Sequence, residues 1–325
     1  MSIAYQPVGW TRFKLIYDAV LVGTVLAYLL LYMRFATGRD SQTVAMDAYG
    51  SCAFLLVTAA LCIGPLAQLN PRLLPLLYNR RHLGVLTAIV ATAHAQAVLG
   101  WYFAYSPTAP LPALLTADTG SGLWHGIPFI PFGIFALLVL WVLAATSHDM
   151  WLAFLTPPVW KALHLCLYPA YAALVLHLGL GALQDAGSQP LAALAMLSVA
   201  AVCGLHLAAS TRAAPPGTGW IAAGRPEDIA EGRARIVPIG GGRAVAVFRT
   251  GATFAAIANQ CAHQNGPLGE GRVVDGCVVC PWHGYQYRLT DGCSPPPFTE
   301  RVATHRLRLE AGVLYVDPAP QPLAP

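Results

Sequence analysis

The feature that most constrains the fold is a set of long apolar runs in the first two thirds of the sequence. Neither Lys nor Arg occurs between His82 and Trp160, or between Ala162 and Thr211. Runs of about twenty apolar residues are long enough to cross a bilayer as helices, and six are present: roughly 14–34, 47–69, 82–104, 127–146, 160–182 and 190–209. Because an open sheet in lipid leaves backbone groups unpaired, we predict a six-helix membrane bundle over residues 1–211.

The positions of Lys and Arg predict how this bundle is oriented. With six spans, two basic residues lie on one side, Arg34 and Arg39, and seven on the other: Arg12, Lys14, Arg72, Arg80, Arg81, Lys161 and Arg212. Lys and Arg are concentrated in cytoplasmic loops, so we predict a multi-pass protein of the cell inner membrane with both termini in the cytoplasm. A net charge of +4 without a basic stripe gives no indication of nucleic-acid binding.

The sequence changes character after residue 211. Residues 212–218 are rich in Pro and Ala and are predicted to form a linker. Segment 235–261 has short runs of Val, Ile and Phe broken by GGG and TG, and segment 302–317 alternates apolar and polar residues. Both patterns are typical of β-hairpins. We therefore predict a small all-β domain over 219–317, followed by a Pro-rich tail over 318–325.

Four residues of this β domain have the spacing of a metal site. Cys261 and His263 form a Cys-x-His pair, and Cys280 and His283 form a Cys-x-x-His pair. Zinc is the usual ion for two cysteines and two histidines, but zinc fingers pair Cys with Cys and His with His on separate elements. A two-iron cluster of the Rieske kind takes two thiolates on one iron and two imidazoles on the other. Loops that each supply one cysteine and one histidine satisfy that requirement.

The two loops, CAHQNGPL and CPWHGYQY, resemble the ligand loops of Rieske [2Fe–2S] domains, and the resemblance extends over about residues 219–317. It implies that the domain holds one [2Fe–2S] cluster. By the same resemblance, Cys261 and Cys280 bind one iron, and His263 and His283 bind the other.

Other positions of the domain differ from the Rieske proteins of cytochrome bc complexes. Gly266 and Trp282 stand where those proteins resemble one another in carrying a disulfide, and Tyr285 replaces a serine that donates to cluster sulfur, whereas Tyr287 remains. Fewer donors stabilise a reduced cluster less, so we predict a ferredoxin-like potential toward the lower end of the Rieske range. Segment PPPF (295–298) resembles the proline loop that covers the cluster in this family.

Several histidines lie inside the apolar runs, where an ionisable side chain is costly and is a functional candidate. His94 lies in the third run and His177 in the fifth, and both runs are predicted to start on the cytoplasmic side. At a rise of about 1.5 Å per residue, the two come to similar depths in the outer half, whereas His164 lies near the inner face. Neutral imidazoles that face each other across a bundle suit a b-type haem. We therefore predict cofactor binding by these histidines, with His82 as a further candidate.

Two segments of the bundle resemble the ferric-reductase-like transmembrane family, which includes NADPH oxidases and the haem-binding subunit of the periplasmic methionine sulfoxide reductase system. They are RRHLGVLTAIVATAH (80–94) and the run over 146–177 that ends in LHLCLYPAYAALVLH. The resemblance implies one or two molecules of haem b. The outer haem would lie between His94 and His177, and His164 would bind an inner one.

The partner of His164 is left open by this resemblance. In the oxidases a second histidine lies about fourteen residues before the ligand of the third span, and that position is Arg80 here. His82 is close, but about twelve residues at roughly 100° each turn it some 120° away from His94 around the helix. Three alternatives follow. His82 ligates at a distorted helix start, His164 binds with another partner, or the chain holds a single haem.

Together the two halves predict an electron-transfer protein of the membrane, acting as an oxidoreductase component. The cluster would accept electrons from a soluble cytoplasmic reductase, and haem would pass them to an extracytoplasmic acceptor, either a protein, a small molecule or a quinone. The alternatives are a quinol-linked oxidoreductase that passes electrons to a cytoplasmic partner, and a redox sensor. The sequence has no separate domain to offer the two-His-one-carboxylate iron site of a terminal oxygenase and no GxGxxG turn.

Overall fold

The computed structural model describes residues 12–36, 38–73, 75–105, 107–116, 127–147, 151, 155, 157–184, 187–211, 219–240, 242–263, 265–282 and 284–321. The chain divides into two compact units, one built from Thr11–Ala209 and one that contains Ser210–Pro325. The predicted linker, 212–218, lies outside the described residues.

The first unit is helical. In chain order its helices are α1 (Arg12–Phe35), α2 (Ser41–Leu69), α3 (Pro75–Tyr78), α4 (Arg80–Tyr105), α5 (Pro110–Thr116), α6 (Ile130–Ala145), α7 (Pro157–Leu165), α8 (Leu167–Leu180) and α9 (Gln189–Thr211). Within the described residues, five helical segments are long and apolar enough to cross a membrane: Lys14–Phe35, Ser41–Leu69, Arg80–Trp101, Val159–Gln184 and Gln189–Thr211. The apolar helix α6 is shorter, at 16 residues. The predicted helical membrane bundle is confirmed, with a span count close to six.

Proline accounts for two local differences from the predicted spans. The fourth span is shorter than predicted, since α6 begins at Ile130 with Pro131 in its first turn, where the missing N–H of proline costs no hydrogen bond. The fifth span is interrupted at Cys166, between α7 and α8. Pro169 has no N–H to donate to the carbonyl of Leu165, so the regular ladder cannot continue through this turn.

Helix α2 lies at the centre of the helical unit. Asp40 caps its start, where one carboxylate oxygen accepts the N–H groups of Gln42 and Thr43 at 3.0 Å each, a favourable end for a helix. Its apolar side chains join those of four other helices in one buried cluster: Phe54, Val57, Leu61, Cys62, Ala88, Leu140, Tyr171, Ala195 and Val202. Helix α1 is less buried. Among its described side chains Val25 is buried and Tyr28 and Leu29 are partly buried beside it, whereas most of its other apolar side chains are exposed.

The second unit is built from short antiparallel strands, which confirms the predicted all-β domain. They are β1 (Ile221–Gly224), β2 (Ala234–Gly240), β3 (Arg243–Thr250), β4 (Thr253–Ala258), β5 (Arg272–Val274), β6 (Cys277–Val279), β7 (Gln286–Arg288), β8 (Thr304–Glu310) and β9 (Val313–Pro320). Six form a sheet in the order β1-β9-β8-β4-β3-β2, and three form a second sheet in the order β5-β6-β7. Strand β9 runs into the predicted tail, because Pro320 lies opposite His305 of β8.

The larger sheet supplies the core of this unit, and the smaller sheet positions a loop. Val245, Val247 and Val316 are fully buried in the core of the larger sheet. In the smaller sheet, Asp275 and Gly276 have positive φ angles of 48° and 75°, as the two-residue turn of a β-hairpin requires. The next connection, from β6 to β7, begins with the second of the predicted ligand cysteines.

Candidate metal and cofactor sites

The first candidate site is built from two loops that leave strands of different sheets. Cys261 follows β4 of the larger sheet, and Cys280 follows β6 of the smaller one. The N–H of Cys261 donates to the carbonyl of Gly266 at 2.9 Å, and the N–H of Cys280 donates to the carbonyl of Tyr285 at 2.7 Å. In both loops the residue before that acceptor donates back to the carbonyl of the cysteine, at 2.8 and 2.9 Å. The two cysteines therefore sit in matching backbone frames.

The donor groups of these loops are each buried. Cys261 and Cys280 are each 1% exposed, and His263 is fully buried. The hydroxyl of Tyr287 lies 3.3 Å from Sγ of Cys261 and close enough to Cys280 to interact with it electrostatically. Burial, and next the neighbouring Cys261, raise the pKa of Tyr287, so its hydroxyl stays protonated and can donate to a thiolate. The two cysteines thus share Tyr287 as a neighbour, and two thiols and an imidazole are the donor types of a metal centre. Among the described residues no group of three or more His, Cys, Asp or Glu side chains is placed to hold a metal ion, and His283 lies outside those residues.

Gly266 of the first loop lies against Cys280 and Trp282 of the second loop. A Cβ atom at this position would lie 2.8 Å from Sγ of Cys280 and 3.1 Å from Cδ2 of Trp282. Real Cβ atoms avoid contacts this short, so glycine is required here by close approach. The indole of Trp282 fills the space beside it, where the bc-type proteins are expected to carry their disulfide.

Tyr285 covers the imidazole of His263. The two rings are nearly parallel, at 11°, with centroids 4.4 Å apart. Tyr285 also contacts Phe298, with ring centroids 5.2 Å apart and ring planes inclined at 52°. Phe298 belongs to the segment that resembles the proline loop, and its N–H donates to the carbonyl of Pro295 at 3.1 Å. The aromatic pair therefore shields this part of the site from water.

The second candidate site lies between α4 and α8. The imidazoles of His94 and His177 have centroids 6.4 Å apart and planes inclined at 83°. Nδ1–H of His94 donates to the carbonyl of Met46 at 2.9 Å, and Nδ1–H of His177 donates to the carbonyl of Phe129 at 3.0 Å. A carbonyl oxygen only accepts, so these bonds fix the tautomer. Each Nε2 keeps its lone pair for a metal ion.

The separation of the two rings suits a single metal ion between them. With metal–nitrogen bonds of about 2 Å and roughly 1 Å from each nitrogen to its ring centroid, two imidazoles on opposite sides of one ion have centroids about 6 Å apart. The observed 6.4 Å between His94 and His177 agrees with this geometry. The carbonyls of Met46 and Phe129 are outer partners of the kind that orient metal-bound histidines.

The other two predicted ligands have separate surroundings. Nδ1–H of His164 donates to the carbonyl of Trp160 at 3.0 Å, and the indole of Trp160 stacks on the imidazole with centroids 3.7 Å apart. Arg80 and Arg81 lie close enough to His164 to interact with it electrostatically. Nδ1 of His82 lies 2.7 Å from a carboxylate oxygen of Asp18. The structure thus brings His94 and His177 together and gives His164 and His82 partners of their own.

Comparison with known proteins identifies the β domain. A sequence profile for the Rieske [2Fe-2S] domain matches residues 219–306. The anthranilate 1,2-dioxygenase ferredoxin subunit of Burkholderia cepacia is 35% identical over 80 residues, which are 24% of this chain and 74% of that protein. The 3-phenylpropionate/cinnamic acid dioxygenase ferredoxin subunit of Escherichia coli (strain K12) is 33% identical over 100 residues, 29% of this chain and 91% of that protein. The chain belongs to the Rieske [2Fe–2S] family.

The Rieske domain is joined to a second recognisable domain. A profile for the ferric reductase like transmembrane component matches residues 49–175, which confirms the predicted fusion. Among solved structures, a complex of reduced oxygenase and oxidized ferredoxin in carbazole 1,9a-dioxygenase aligns over 32% of this chain and 98% of that chain, with 25% identity and a TM-score of 0.31. A Rieske domain joined to a ferric-reductase-like membrane domain supports a [2Fe–2S] cluster and electron transfer at a membrane.

Some residues of the two sites carry no signal in the sequence. The stacking of Tyr285 on His263 is missed because a tyrosine beside a ligand loop can point either way. Met46 and Phe129 are missed because they act through backbone carbonyls, which every residue has. In the Rieske domain the distribution of ligands between the two irons stays a prediction.

Proposed function

We propose that this chain transfers electrons between a [2Fe–2S] cluster in the cytoplasm and haem b in the inner membrane, for delivery to an extracytoplasmic acceptor. Cys261 and Cys280 would bind one iron of the cluster, and His263 and His283 the other. The bundle would place the haem between His94 and His177, and both termini would lie in the cytoplasm. The domain bounds that go with this proposal are 1–211, 212–218 and 219–317, with 318–325 as a tail.

The observation that carries this proposal is the pair of partly buried imidazoles, His94 and His177, in a chain that also has a Rieske domain. Their ring centroids are 6.4 Å apart, and each ring is held by a backbone carbonyl. Neither histidine needs to be charged to fill this role, which suits a site inside a membrane. When bound, haem supplies reversible one-electron chemistry at its iron.

The protein's own groups would set the reduction potentials of the two cofactors. At the cluster, the hydroxyl of Tyr287 lies 3.3 Å from Sγ of Cys261 and would donate to the thiolate. Such a bond favours the more negative, reduced cluster. Tyr285 stacks on His263 and Phe298 packs at an angle against Tyr285, so the pair would help to exclude water from that ligand. In the membrane, the carbonyls of Met46 and Phe129 increase the basicity of the two imidazoles.

The geometry supports one haem with two histidine ligands. Around His164 the described residues that interact with it are Trp160, Arg80 and Arg81, which include no second imidazole. His82 makes its contact with Asp18 on α1. A second haem on His164, with or without His82, therefore stays a prediction.

The relatives suggest the kind of partner. They are ferredoxin subunits of dioxygenase systems, and by analogy the Rieske domain of this chain would exchange single electrons with a soluble protein. We assign the donor to a cytoplasmic reductase. The acceptor would be a protein or a small molecule outside the cytoplasm.

One feature of the bundle favours a second candidate, a quinol-linked oxidoreductase that sends electrons from the membrane to a cytoplasmic partner. Tyr168 is 45% exposed, and its hydroxyl lies 2.9 Å from Nε2 of His206. Nδ1–H of His206 donates to the carbonyl of Val202 at 2.8 Å, so the tyrosine is the donor in this pair. A polar pair on a lipid-facing surface is costly and could hydrogen-bond a quinone head group.

Reduction of the reconstituted protein tests the proposal. The full-length chain is placed in proteoliposomes, and a soluble flavoprotein reductase with NADH reduces the cluster while haem absorption is followed. We expect the haem to be reduced after the cluster, and at least tenfold more slowly in a Cys261→Ser variant that lacks it. Haem that stays oxidised beside a reduced cluster would contradict the proposal. Haem reduction by added quinol alone would favour the second candidate.

A further inference from the structure

The two histidines of the membrane site are held by the same local arrangement. On α2, the carbonyl of Met46 accepts Nδ1–H of His94, and Gly50 lies four residues further along. At the start of α6, the carbonyl of Phe129 accepts Nδ1–H of His177, and Gly133 lies four residues further along. Residues four apart lie on one face of a helix. Each imidazole therefore rests on a carbonyl and a glycine of a neighbouring helix.

Both glycines are in contact with the rings. A Cβ atom on Gly50 would lie 2.9 Å from Nδ1 of His94 and 3.0 Å from its Cε1. A Cβ atom on Gly133 would lie 2.7 Å from Cε1 of His177 and 2.8 Å from its Nδ1. These contacts are shorter than real Cβ atoms make. The imidazoles are rigid and are hydrogen-bonded on the same side, so an added methyl group would have to tilt or turn the ring.

The helices themselves give no reason for glycine at these positions. Neither Gly50 nor Gly133 has a positive φ angle, and alanine is the better helix former. A change to alanine should therefore favour α2 and α6 locally while it displaces the histidine beside each of them. The two effects oppose each other, which lets an experiment separate ring position from helix stability.

We propose that Gly50 and Gly133 are positioning residues, which together with the carbonyls of Met46 and Phe129 hold the axial imidazoles of the haem at right angles. This rests on the proposed function, because it takes the haem to be bound between His94 and His177. The observed angle between the ring planes is 83°.

The angle has a spectroscopic consequence. Each axial imidazole interacts through its π system with one of the two iron d orbitals that lie out of the porphyrin plane. Parallel rings act on the same orbital and separate the pair in energy, whereas perpendicular rings act on one orbital each and leave the pair nearly equal. Oxidised low-spin haem with perpendicular ligands therefore gives a strongly anisotropic EPR signal with a large maximum g value. Rings closer to parallel give a rhombic signal with a smaller one.

Low-temperature EPR of the oxidised, full-length protein tests this directly. We expect the strongly anisotropic signal for the unmodified protein. In Gly50→Ala and Gly133→Ala, we expect the maximum g value to fall, or a high-spin signal where a ligand is lost, together with a shifted haem midpoint potential. The matched controls are Gly84→Ala on α4 and Gly179→Ala on α8, where an added Cβ meets nothing within 4 Å. These two should keep the signal and the potential of the unmodified protein.

The outcomes separate the inference from the proposed function. A protein without haem would overturn both. A protein with b-type haem and a rhombic signal would overturn the perpendicular arrangement while leaving the proposed function intact, and this measurement needs no variant. If the Gly50→Ala and Gly133→Ala proteins bind haem with the signal and the potential of the two controls, the glycines do not position the ligands.

Discussion

The two candidate sites hold their ligands in different ways, although each pairs groups from two structural elements. In the Rieske domain, the predicted ligands lie on two short loops. Each loop is closed by its own backbone hydrogen bonds between the cysteine and residues four and five positions further along. In the bundle, His94 and His177 lie on long helices and are oriented by carbonyls of other helices, Met46 and Phe129. The first site is shaped locally, whereas the second depends on how helices pack.

This difference decides how each site should respond to change. A loop closed by its own hydrogen bonds keeps its backbone conformation as long as its own residues are intact. The Rieske site is therefore disturbed mainly by clashes between the two loops. A site made by packed helices fails when a neighbour moves, even if both histidines remain. Loss of one site should also leave the other intact, because the two lie in separate compact units.

Replacement of the predicted ligands is expected to give the largest effect. If that effect were absent, the contrast between the two sites would be refuted. His94→Ala and His177→Ala should each abolish most haem binding while the EPR signal of the Rieske cluster is unchanged. Cys261→Ser should abolish the cluster signal while haem content is unchanged. Haem and iron–sulfide assays on the same preparations measure both.

Two further variants sharpen this prediction in the bundle. His82→Gln and His164→Ala are expected to keep the haem between His94 and His177, because their contacts are with Asp18 and Trp160. If haem content falls by half in the His164 variant, the chain holds a second haem. If it falls to zero, the assignment of His94 with His177 as the ligand pair is wrong.

The next largest effect is expected where the two loops meet. In Gly266→Ala, the added Cβ atom would lie 2.8 Å from Sγ of Cys280, and overpacking of a filled site costs about 1–3 kcal/mol. We expect lower cluster occupancy and a lower thermal midpoint of the Rieske domain. Gly269→Ala is the matched control, because its Cβ atom would meet Ile236 at 2.6 Å instead of a predicted ligand. The control should lower the midpoint but leave the cluster EPR signal unchanged; equal EPR signals in both variants would refute the prediction.

The same contrast explains how much could be predicted from the sequence. The bundle, the β domain and the ligand loops were predictable because apolar run length, strand alternation and Cys–His spacing are local patterns. The 16-residue length of α6 and the break at Cys166 were not predicted. They depend on where Pro131 and Pro169, which have no N–H to donate, lie in the hydrogen bonding of their helices. The orientation of the histidines was not predictable either. It depends on backbone carbonyls and on glycines that leave space for a ring. Neither shows in the sequence which histidine it contacts.

A smaller effect is expected at the sulfur of the locally closed site. In Tyr287→Phe, Cys261 loses the hydroxyl that lies 3.3 Å from its Sγ. That donor favours the reduced cluster by about 1 kcal/mol, which is roughly 40 mV for one electron, so the midpoint potential should fall by that amount. Tyr315→Phe is the control, since the ring of Tyr315 faces Arg308. An EPR-monitored titration with no shift in the tyrosine variant would show that the hydroxyl does not reach the cluster.

The smallest effect is expected in the pH dependence of stability, which tests whether the two units unfold independently. His305 of β8 is 7% exposed, and burial lowers its pKa, although the carbonyl of Asp317 at 2.9 Å opposes this. The unfolded chain then takes up its proton at higher pH, near the ordinary value of about 6.5, and the folded chain only at lower pH. The contribution of His305 to stability is therefore full above that value and is lost as the pH falls below it.

We expect the thermal midpoint of the Rieske domain to drop between pH 8 and pH 5.5 by more in the unmodified protein than in His305→Gln. Groups present in both proteins cancel in that difference. The haem absorption should stay constant over the same pH range, because His305 belongs to the other unit; if it is lost together with the domain, the two sites are not independent.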